Sequence, residues 1–341
     1  MSGWRALPPL LLAVLALAGC EGVQSALEPQ GPEAARIALL AEVLFVGAGA
    51  ILLLVVVLTA IAVYAPEARR RWLARHRVVV IGGILFPGVT VSVLLVYGLL
   101  LMGAGEADPG RATGAGAEGG GSGEPIRIAV VGEQWWWRVV YQEADGYRFE
   151  TANEIRIPVG RTVELELTTA DVIHSFWVPK LAGKLDMIPG RTNRLRLAAD
   201  RPGVSRGQCA EYCGGAHALM AFEVVALSET DFAEWLELTA GPAPEPEGEQ
   251  ERRGRKLFLA AGCGGCHTVR GTPAAGTIGP DLTHVGGRLS LAAAILPNSP
   301  EAFASWIVDN QHIKPDNRMP PYGIFGDAEV EAIAAYLASL R

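Results

Sequence analysis

The chain has 341 residues, of which half are apolar and 19% are charged, with a net charge of −7 and a mean hydropathy of +0.25. This length is typical of two or three domains. The hydropathy is too high for a purely soluble protein, whereas the charge content is too high for a protein that lies wholly in a membrane. The apolar content excludes disorder throughout, and the acidic balance indicates no nucleic-acid partner. We therefore expect membrane and soluble parts in one chain.

Residues 1–20 have the organisation of a secretion signal. Arg5 supplies the positive start, an apolar stretch follows, and small residues lead to Cys20. The last four residues of this segment resemble the lipobox of bacterial lipoproteins, in which the cysteine carries the lipid. We therefore predict a lipid anchor at Cys20 and contact with membrane lipid. The alternative is an ordinary signal with an incidental cysteine.

Two uncharged apolar runs, residues 43–64 and 78–102, are each long enough to cross a bilayer, which requires about 20 residues. The loop between them, residues 66–77, contains five arginines and one glutamate. Short loops rich in arginine stay on the cytoplasmic side. We therefore predict a two-helix transmembrane hairpin over residues 37–103, in a multi-pass protein of the bacterial plasma membrane. Both flanks would lie on the outer, periplasmic or extracellular face.

Two linkers divide the remaining sequence. Residues 104–124 are rich in glycine and predict a flexible tether, whereas the proline and glutamate of residues 241–250 predict a stiffer linker. They delimit two outer domains, residues 125–240 and 251–341, each large enough for its own core. The first alternates apolar and polar residues, which is typical of an antiparallel sandwich or barrel. The second has helical spacing and long loops, so that a large bound group is expected at its centre.

A cluster of soft ligands lies near the end of the first outer domain. Cys209, Cys213, His217 and Met220 fall within twelve residues, and His174 precedes Cys209 by 35 positions. Thiolate, imidazole and thioether groups together form a ligand set that suits copper. The alternatives are a disulfide in an exported domain, a zinc site, or buried residues that bind nothing.

The loop at residues 209–220 has the pattern Cys-x-Glu-x-Cys-x3-His-x2-Met. This pattern resembles the copper loop of cytochrome c oxidase subunit II, and the segments at residues 174–179, 184–191 and 132–137 are likewise similar to that family. With the hairpin, the resemblance covers residues 37–240. It implies an all-β, cupredoxin-like Greek-key domain that holds a binuclear copper centre (CuA).

The resemblance also implies roles for individual residues. The implied ligands are the two bridging thiolates, Cys209 and Cys213, with His174 and Met220 on one copper and His217 and the backbone carbonyl of Glu211 on the other. The side chain of Glu211 is implied to reach a magnesium ion shared with subunit I. Trp135 is implied as the surface point at which electrons enter, and the alternative for each of Trp135, Trp136 and Trp137 is a place in the core.

The second predicted span departs from the family pattern. Many members have a glutamate at its cytoplasmic start, which is associated with proton uptake. This chain has none there, and His76 is the nearest titratable residue. The departure puts proton uptake through this chain in doubt.

Cys263, Cys266 and His267 form the C-x-x-C-H signature of c-type haem attachment. Two thioether bonds would hold the haem, and the histidine would bind its iron. The alternative, a thioredoxin-like redox pair, requires a strand–helix context that this glycine-rich loop lacks. Met319 is the domain's only methionine, and we predict it as the sixth ligand because a His/Met pair suits electron transfer. Two histidines are rival ligands: His284 and His312.

This second domain resembles the class I cytochromes c, which are all-α. They have a Met-Pro segment before the last helix, as at residues 319–320. They also have a Gly-Pro turn like that at residues 279–282, whose proline carbonyl orients the axial histidine.

The order of hairpin, copper domain and cytochrome resembles subunit II of a caa-type haem–copper oxidase. The resemblance implies an electron-transfer subunit of cytochrome c oxidase. An external donor (a cytochrome c, another redox protein or a quinol-oxidising complex) would reduce the haem. Electrons would pass to CuA and then to the haem of subunit I, where oxygen becomes water and protons are pumped.

Two other functions fit the same sequence features. The first is the electron-accepting subunit of a CuA-containing nitric oxide reductase. The second is a membrane-tethered copper chaperone, which would bind one exchangeable copper and would not need haem. A nitrous oxide reductase is excluded, because it would require a large propeller domain.

Overall fold

The computed structural model describes residues 22–106, 125–142 and 148–341. The described chain forms two compact units. The first contains residues 22–34 together with residues 125–142 and 148–341, and the second contains residues 35–106. The predicted signal, its Cys20 and residues 107–124 of the predicted tether lie outside the described residues.

Two long apolar helices form most of the second unit, and the first of them begins three residues before it. The helical segments are α1 (Pro32–Tyr64), α2 (Glu67–Leu73), α3 (His76–Val80), a π-helical turn (Ile81–Leu85) and α4 (Phe86–Glu106). The large apolar side chains of α1 and of the helical stretch His76–Leu101 are mostly exposed, and both helices are long and apolar enough to cross a membrane. An apolar surface of this size needs a lipid or protein cover. This agrees with the predicted helical hairpin.

The next domain is built from strands. Its described strands are β1 (Ile126–Glu133), β2 (Trp136–Gln142), β3 (Arg148–Ala152), β4 (Glu154–Pro158), β5 (Val163–Thr169), β6 (His174–Trp177), β7 (Leu185–Met187), β8 (Asn193–Leu197), β9 (Gly203–Cys209) and β10 (Ala221–Leu227). They form two sheets, in the orders β3-β2-β1-β5-β8 and β4-β10-β9-β6-β7. The prediction of a purely antiparallel domain is wrong for two pairs, because β1 pairs with β5 and β4 with β10 in parallel. The chain enters the other sheet at β4 before returning as β5, so β5 runs in the direction of β1.

The core of this domain lies between the sheets. In strand β5, the apolar side chains of Val163, Leu165 and Leu167 are fully buried in this core. The glutamates between them, Glu164 and Glu166, are more exposed. Trp137 is fully buried as well, with its ring 5.0 Å from that of Phe222. Each such side chain contributes about 1.5–3 kcal/mol on burial. Trp137 and Trp135, which is 7% exposed, are therefore both core members of the tryptophan run, and the predicted surface position of Trp135 is wrong because its indole packs in the core of this domain. Helix α5 (Glu229–Ala240) ends the domain.

The last domain is helical. Its helices are α6 (Glu249–Ala260), α7 (Pro300–Ile313) and α8 (Asp327–Ser339), with a small hairpin of β11 (Ser290–Leu291) and β12 (Leu296–Pro297). Helices α6 and α8 cross at Gly254, where an added Cβ would lie 1.9 Å from the carbonyl oxygen of Ala332. Helix α6 begins inside the segment predicted as a linker, because the carboxylate of Glu251 accepts from the backbone N–H of Gly248 at 3.0 Å. The predicted fold class of apolar helices, β domain and helical domain is confirmed.

Candidate functional site

Strand topology brings together the soft ligands predicted from the sequence. Strand β9 ends at Cys209, and the following loop contains Cys213 and a 3₁₀ turn at His217–Leu219 before Met220 leads into β10. Strand β6 begins at His174 and pairs with the end of β9. Residues that are 35 positions apart in the sequence therefore meet at one end of this sheet.

The ligand atoms face one another at short range. The Sγ atoms of Cys209 and Cys213 are 3.7 Å apart, far beyond the ~2.0 Å of a disulfide, and both thiols are free. His174 Nδ1 lies 3.8 Å from Cys209 Sγ, and His217 Nδ1 lies 3.4 Å from Cys213 Sγ. Met220 Sδ is 3.8 Å from Cys213 Sγ. Two sulfurs between two imidazoles fit a pair of soft metal ions better than the single tetrahedral zinc.

Burial and polar contacts tune the thiols before any metal binds. The contact with Cys213 lowers the pKa of Cys209 to about 3, against the opposing effect of burial and with help from His174. The same contact, together with burial, raises the pKa of Cys213. The two thiols therefore titrate as a coupled pair, in which ionisation of one opposes ionisation of the other. Both thiols must lose their protons to bind metal ions.

The backbone carbonyl of Glu211 also belongs to this cluster. Its oxygen lies 3.2 Å from Cys209 Sγ, whereas the side chain of Glu211 is exposed. The carbonyl is therefore in place for the predicted copper role.

Asp171 orients His174 and was missed in the sequence. Its Oδ1 lies 2.8 Å from His174 Nε2, and its Oδ2 accepts from the backbone N–H of Gln134 at 2.8 Å. Burial opposes ionisation, but the hydrogen bonds from His174 and Gln134 hold the pKa of Asp171 below its usual value. Burial would lower the pKa of His174, yet Cys209 and Asp171 raise it. The sequence feature that could have indicated this role is an acidic residue three positions before a candidate ligand histidine.

Trp135 lies directly behind the copper loop. Its indole Nε1 donates to the carbonyl oxygen of Cys213 at 2.9 Å, and the side-chain amide of Gln134 donates to the same oxygen at 2.8 Å. The following residue, Gly214, has φ +113°, and an added Cβ would lie 3.0 Å from Gln134 Nε2. The close packing of the indole therefore requires glycine at this position.

The residues predicted to hold haem line one cleft in the helical domain. Cys263, Cys266, His267 and Met319 all face it. The wall between them is largely apolar, and includes Phe258, Leu282, Phe303, Ile307, Tyr322 and Phe325. An apolar cleft with two thiols and two candidate axial ligands fits a covalently bound haem.

The axial histidine is held in one orientation. His267 Nδ1 lies 2.8 Å from the carbonyl oxygen of Pro280, which leaves Nε2 free for a metal. Burial lowers the pKa of His267 and so favours the neutral ligand form. Gly279 is required beside it, because an added Cβ would lie 2.6 Å from the imidazole.

The rival histidines lie outside this cleft. His284 contacts the carbonyl oxygens of Arg341 and Gly241, and His312 is exposed on α7. Arg288 lines the cleft, and its Nε is buried without a hydrogen-bond partner among the described residues. An unpartnered guanidinium N–H suits a carboxylate of the missing group, which adds to the fit for haem.

The β-sheet domain, residues 125–240 (the copper domain below), covers one side of the cleft of the helical domain, residues 251–341 (the haem cleft and haem domain below). Glu133, Gln134, Trp135, Trp136 and Asn153 line the cleft together with residues of the helical domain.

Side chains of both domains form hydrogen bonds across this contact. The bonds join Arg138 to the carbonyl of Thr277 (3.0 Å), Arg156 to that of Gly287 (2.9 Å), Glu154 to the N–H of Leu289 (2.7 Å), Glu223 to the hydroxyl of Ser290 (2.8 Å) and Lys314 to the carbonyl of Trp135 (2.5 Å). The indole of Trp135 thus lies between the cleft and Cys213.

Comparisons with known proteins agree with this geometry. Residues 139–227 match the family described as "Cytochrome C oxidase subunit II, periplasmic domain", and residues 251–341 match the family "Cytochrome c". "Cytochrome c oxidase subunit 2" of Alkalihalophilus pseudofirmus is 43% identical over 216 residues, which are 63% of this chain and 61% of that protein. The protein of the same name from Bacillus sp. (strain PS3) is 31% identical, over 63% of this chain and 62% of that protein. The chain thus spans about six tenths of the length of these curated relatives.

A solved structure is similar to the copper domain. The crystal structure of the periplasmic domain of subunit II of cytochrome oxidase from Bradyrhizobium japonicum is 32% identical. The match covers 33% of this chain and 92% of that one, with a TM-score of 0.32.

Proposed function

Because this chain joins a cytochrome c oxidase subunit II periplasmic domain to a cytochrome c domain, we propose that it is the electron-accepting subunit of a haem–copper oxidase. The chain would take electrons at its haem domain, deliver them to its copper loop and pass them to the haem of subunit I, where oxygen is reduced and protons are pumped. The contact that carries this proposal is made by Trp135, which lines the haem cleft while its Nε1 donates to the carbonyl of Cys213.

The copper loop is built for a rigid, dry centre. When bound, the copper pair and the haem supply the one-electron redox couples. His174, Cys209, Cys213 and Met220 are each at most 4% exposed, which keeps water from these four side chains, whereas His217 is only partly buried. Asp171 fixes the imidazole of His174 by its hydrogen bond. A rigid ligand set of this kind needs little rearrangement when its charge changes.

The haem domain contains the two cysteines for covalent haem attachment and two candidate ligands for the iron. Cys263 and Cys266 would form the two thioether bonds, and His267 and Met319 would be the protein's ligands to the iron. The carbonyl of Pro280 orients His267, and the buried Nε of Arg288 is available to a haem carboxylate. A His/Met pair raises the reduction potential, which suits an acceptor of electrons from an external donor.

The two apolar helices anchor these domains in the membrane. The arginine-rich loop between α1 and α3 favours the cytoplasmic side, so both domains would lie on the outer face. The partners would be subunit I, other oxidase subunits, and a donor such as a cytochrome c, another redox protein or a quinol-oxidising complex. The exposed carboxylate of Glu211 would reach the magnesium ion at the surface shared with subunit I.

A single-turnover experiment on the purified complex that contains the full chain tests the relay. A flash-activated dye reduces the haem, and absorbance follows haem oxidation together with copper reduction. Equal rates that do not depend on protein concentration are expected for a transfer within one chain. Metal analysis of the full chain, separated from its partner subunits, should give two tightly held copper ions and one iron per chain.

The outcomes separate the alternatives. A rate that rises linearly with protein concentration would contradict transfer within the chain. One labile copper per chain and no haem would indicate a chaperone. Consumption of nitric oxide in place of oxygen by the purified complex would assign the chain to a nitric oxide reductase.

A further inference from the structure

Lys314 is a buried lysine whose amino group contacts neutral acceptors. It directly follows α7 and is 3% exposed. Its Nζ donates to the carbonyl oxygen of Trp135 at 2.5 Å and to that of Ala292 at 3.2 Å. Within the described parts of the chain, no carboxylate forms an ion pair with it. Since a buried amino group is costly unless it is hydrogen-bonded, these two carbonyls determine its position.

The two carbonyls belong to different domains. Trp135 lies in the copper domain, and Ala292 begins a buried turn of the haem domain. Ala292, Ala293 and Ala294 have φ angles of 56°, 66° and 61°. Three successive alanines in this left-handed region are unfavourable, because the Cβ crowds the backbone. The hydrogen bonds of Lys314 therefore link this unfavourable turn of the haem domain to Trp135 of the copper domain.

Lys314 is also connected to the predicted iron ligand. The side-chain amide of Asn317 donates to the carbonyl of Lys314 at 2.7 Å, and its Oδ1 accepts from the N–H of Met319 at 2.9 Å. On the other side, Trp135 donates to the carbonyl of Cys213. A continuous line of hydrogen bonds thus runs from the Met319 segment through Lys314 to the copper loop.

We propose that Lys314 is a positioning residue for electron transfer between the domains: it fixes the haem domain on the copper domain and holds the Trp135 indole between the haem cleft and Cys213. This role rests on the proposed function, because the indole matters only if electrons cross here. The amino group fulfils the role in either protonation state, since a neutral amine retains two N–H donors for two carbonyls.

The charge of Lys314 gives the role a distinct signature. Burial lowers the pKa of Lys314 to about 7, with Cys213 opposing. A protonated amino group in the cleft wall disfavours the additional positive charge of oxidised haem. The haem potential should therefore rise as the pH falls through about 7. Other charged or titratable groups of the cleft and its surroundings are Glu133, Cys213, His267, Arg288, Asp316 and Arg318.

Three variants of the full chain, purified in its complex, test the proposal. Lys314→Met retains the apolar stem and removes both donors. Lys314→Arg retains donors and a permanent charge. Lys256→Met is the matched control, because Lys256 is exposed on α6 in the same domain. The readouts are the haem-to-copper rate after a flash, amide hydrogen exchange at residues 134–136 and 292–294, and the haem potential against pH.

Lys314→Met should slow the transfer about tenfold, the effect of about 1.4 kcal/mol on the docked state. It should also speed exchange at both segments and remove the pH step in the haem potential. Lys314→Arg should retain wild-type exchange but show no step, because guanidinium stays charged. Lys256→Met should behave as wild type.

Wild-type rate and exchange in Lys314→Met would overturn the proposal. If that variant does not fold, Lys314→Gln, which is neutral and shorter, replaces it, and wild-type rate and exchange in Lys314→Gln would contradict the proposal. A wild-type chain that passes no electrons from haem to copper would refute the proposed function. Hydrogen exchange would then still decide whether Lys314 fixes the domains.

Discussion

The imidazole of His174 is held by Asp171, whose Oδ1 lies 2.8 Å from Nε2. This contact leaves Nδ1 facing Cys209 Sγ and so selects the nitrogen that meets a metal. The other carboxylate oxygen accepts from the backbone N–H of Gln134, next to Trp135. One carboxylate therefore orients a ligand and the segment that contacts the haem cleft.

Asp171→Asn should weaken copper binding. The substitution replaces one carboxylate oxygen by an NH2 donor, so that either His174 Nε2 or the N–H of Gln134 loses its acceptor. Loss of such an orienting partner typically costs about 10–100-fold in metal affinity. Competition with a copper(I) chelator on the full chain measures the change. Asp200→Asn, at an exposed position of the same domain, is the control, and an affinity equal to wild type in Asp171→Asn would contradict the orienting role.

Trp135→Phe should slow electron transfer between the domains without loss of copper. Phenylalanine retains an aromatic ring but lacks the Nε1–H that donates to the carbonyl of Cys213. A lost hydrogen bond of about 1 kcal/mol, if expressed in the barrier, corresponds to roughly a fivefold to tenfold slower rate. Flash reduction of the haem, followed by copper absorbance, measures the rate.

Trp136→Phe is the matched comparison for this variant. Trp136 also lines the cleft, but its ring stacks on the guanidinium of Arg138 at 4.7 Å. We therefore expect a rate near that of wild type. Equal slowing by both substitutions would show that general packing of the cleft, and not the contact with Cys213, limits the rate.

Met319→Leu should lower the reduction potential of the haem while leaving it covalently attached. Leucine has a similar volume but no sulfur, and a His/Met ligand pair raises the potential. Spectroelectrochemical titration of the full chain measures the shift. His284→Ala and His312→Ala should leave the potential unchanged, since neither side chain lines the cleft. A shift in either of these variants and none in Met319→Leu would reassign the sixth ligand.

Gly254→Ala should destabilise the haem domain. The added Cβ would lie 1.9 Å from the carbonyl oxygen of Ala332, so that α6 and α8 must move apart. Overpacking of this kind costs about 1–3 kcal/mol. Denaturant unfolding followed by haem absorbance measures the loss. Gly287→Ala is the control, because its added Cβ has its nearest neighbour at an ordinary 3.7 Å, and equal stability of the two variants would contradict the close crossing.

The sequence predicted the parts of the site whose chemistry is local. Cys209, Cys213, His217 and Met220 lie on one loop, and their spacing alone indicates a metal site. The Cys263–His267 motif is equally local. His174 could be grouped with the loop residues only as a candidate by residue type, since strand pairing brings it to the loop across 35 residues.

The remaining residues could not be predicted because their roles arise from tertiary contacts. Lys314 was an ordinary lysine in the sequence, and only the docking of two domains buries it against Trp135. Arg288 acquires an unpartnered Nε only inside the folded cleft. Residues 249–250 indicated a linker by composition but begin α6, whose first turn is capped by the Glu251 carboxylate. The parallel pairing of β1 with β5 depends on a change of sheet that alternation does not encode.

The hydrogen bonds that join the two domains determine how their docking depends on ionic strength. They link charged side chains to carbonyls, N–H groups or a hydroxyl, and none of the ion pairs between described residues crosses from one domain to the other. Salt screens charges that are farther apart than about 10 Å at 0.1 M, whereas these contacts, at 2.5–3.0 Å, lie well inside that length. A freely diffusing donor that docks by opposite charges loses affinity as ionic strength rises. The tethered haem domain should keep its place in dilute and in saline surroundings alike.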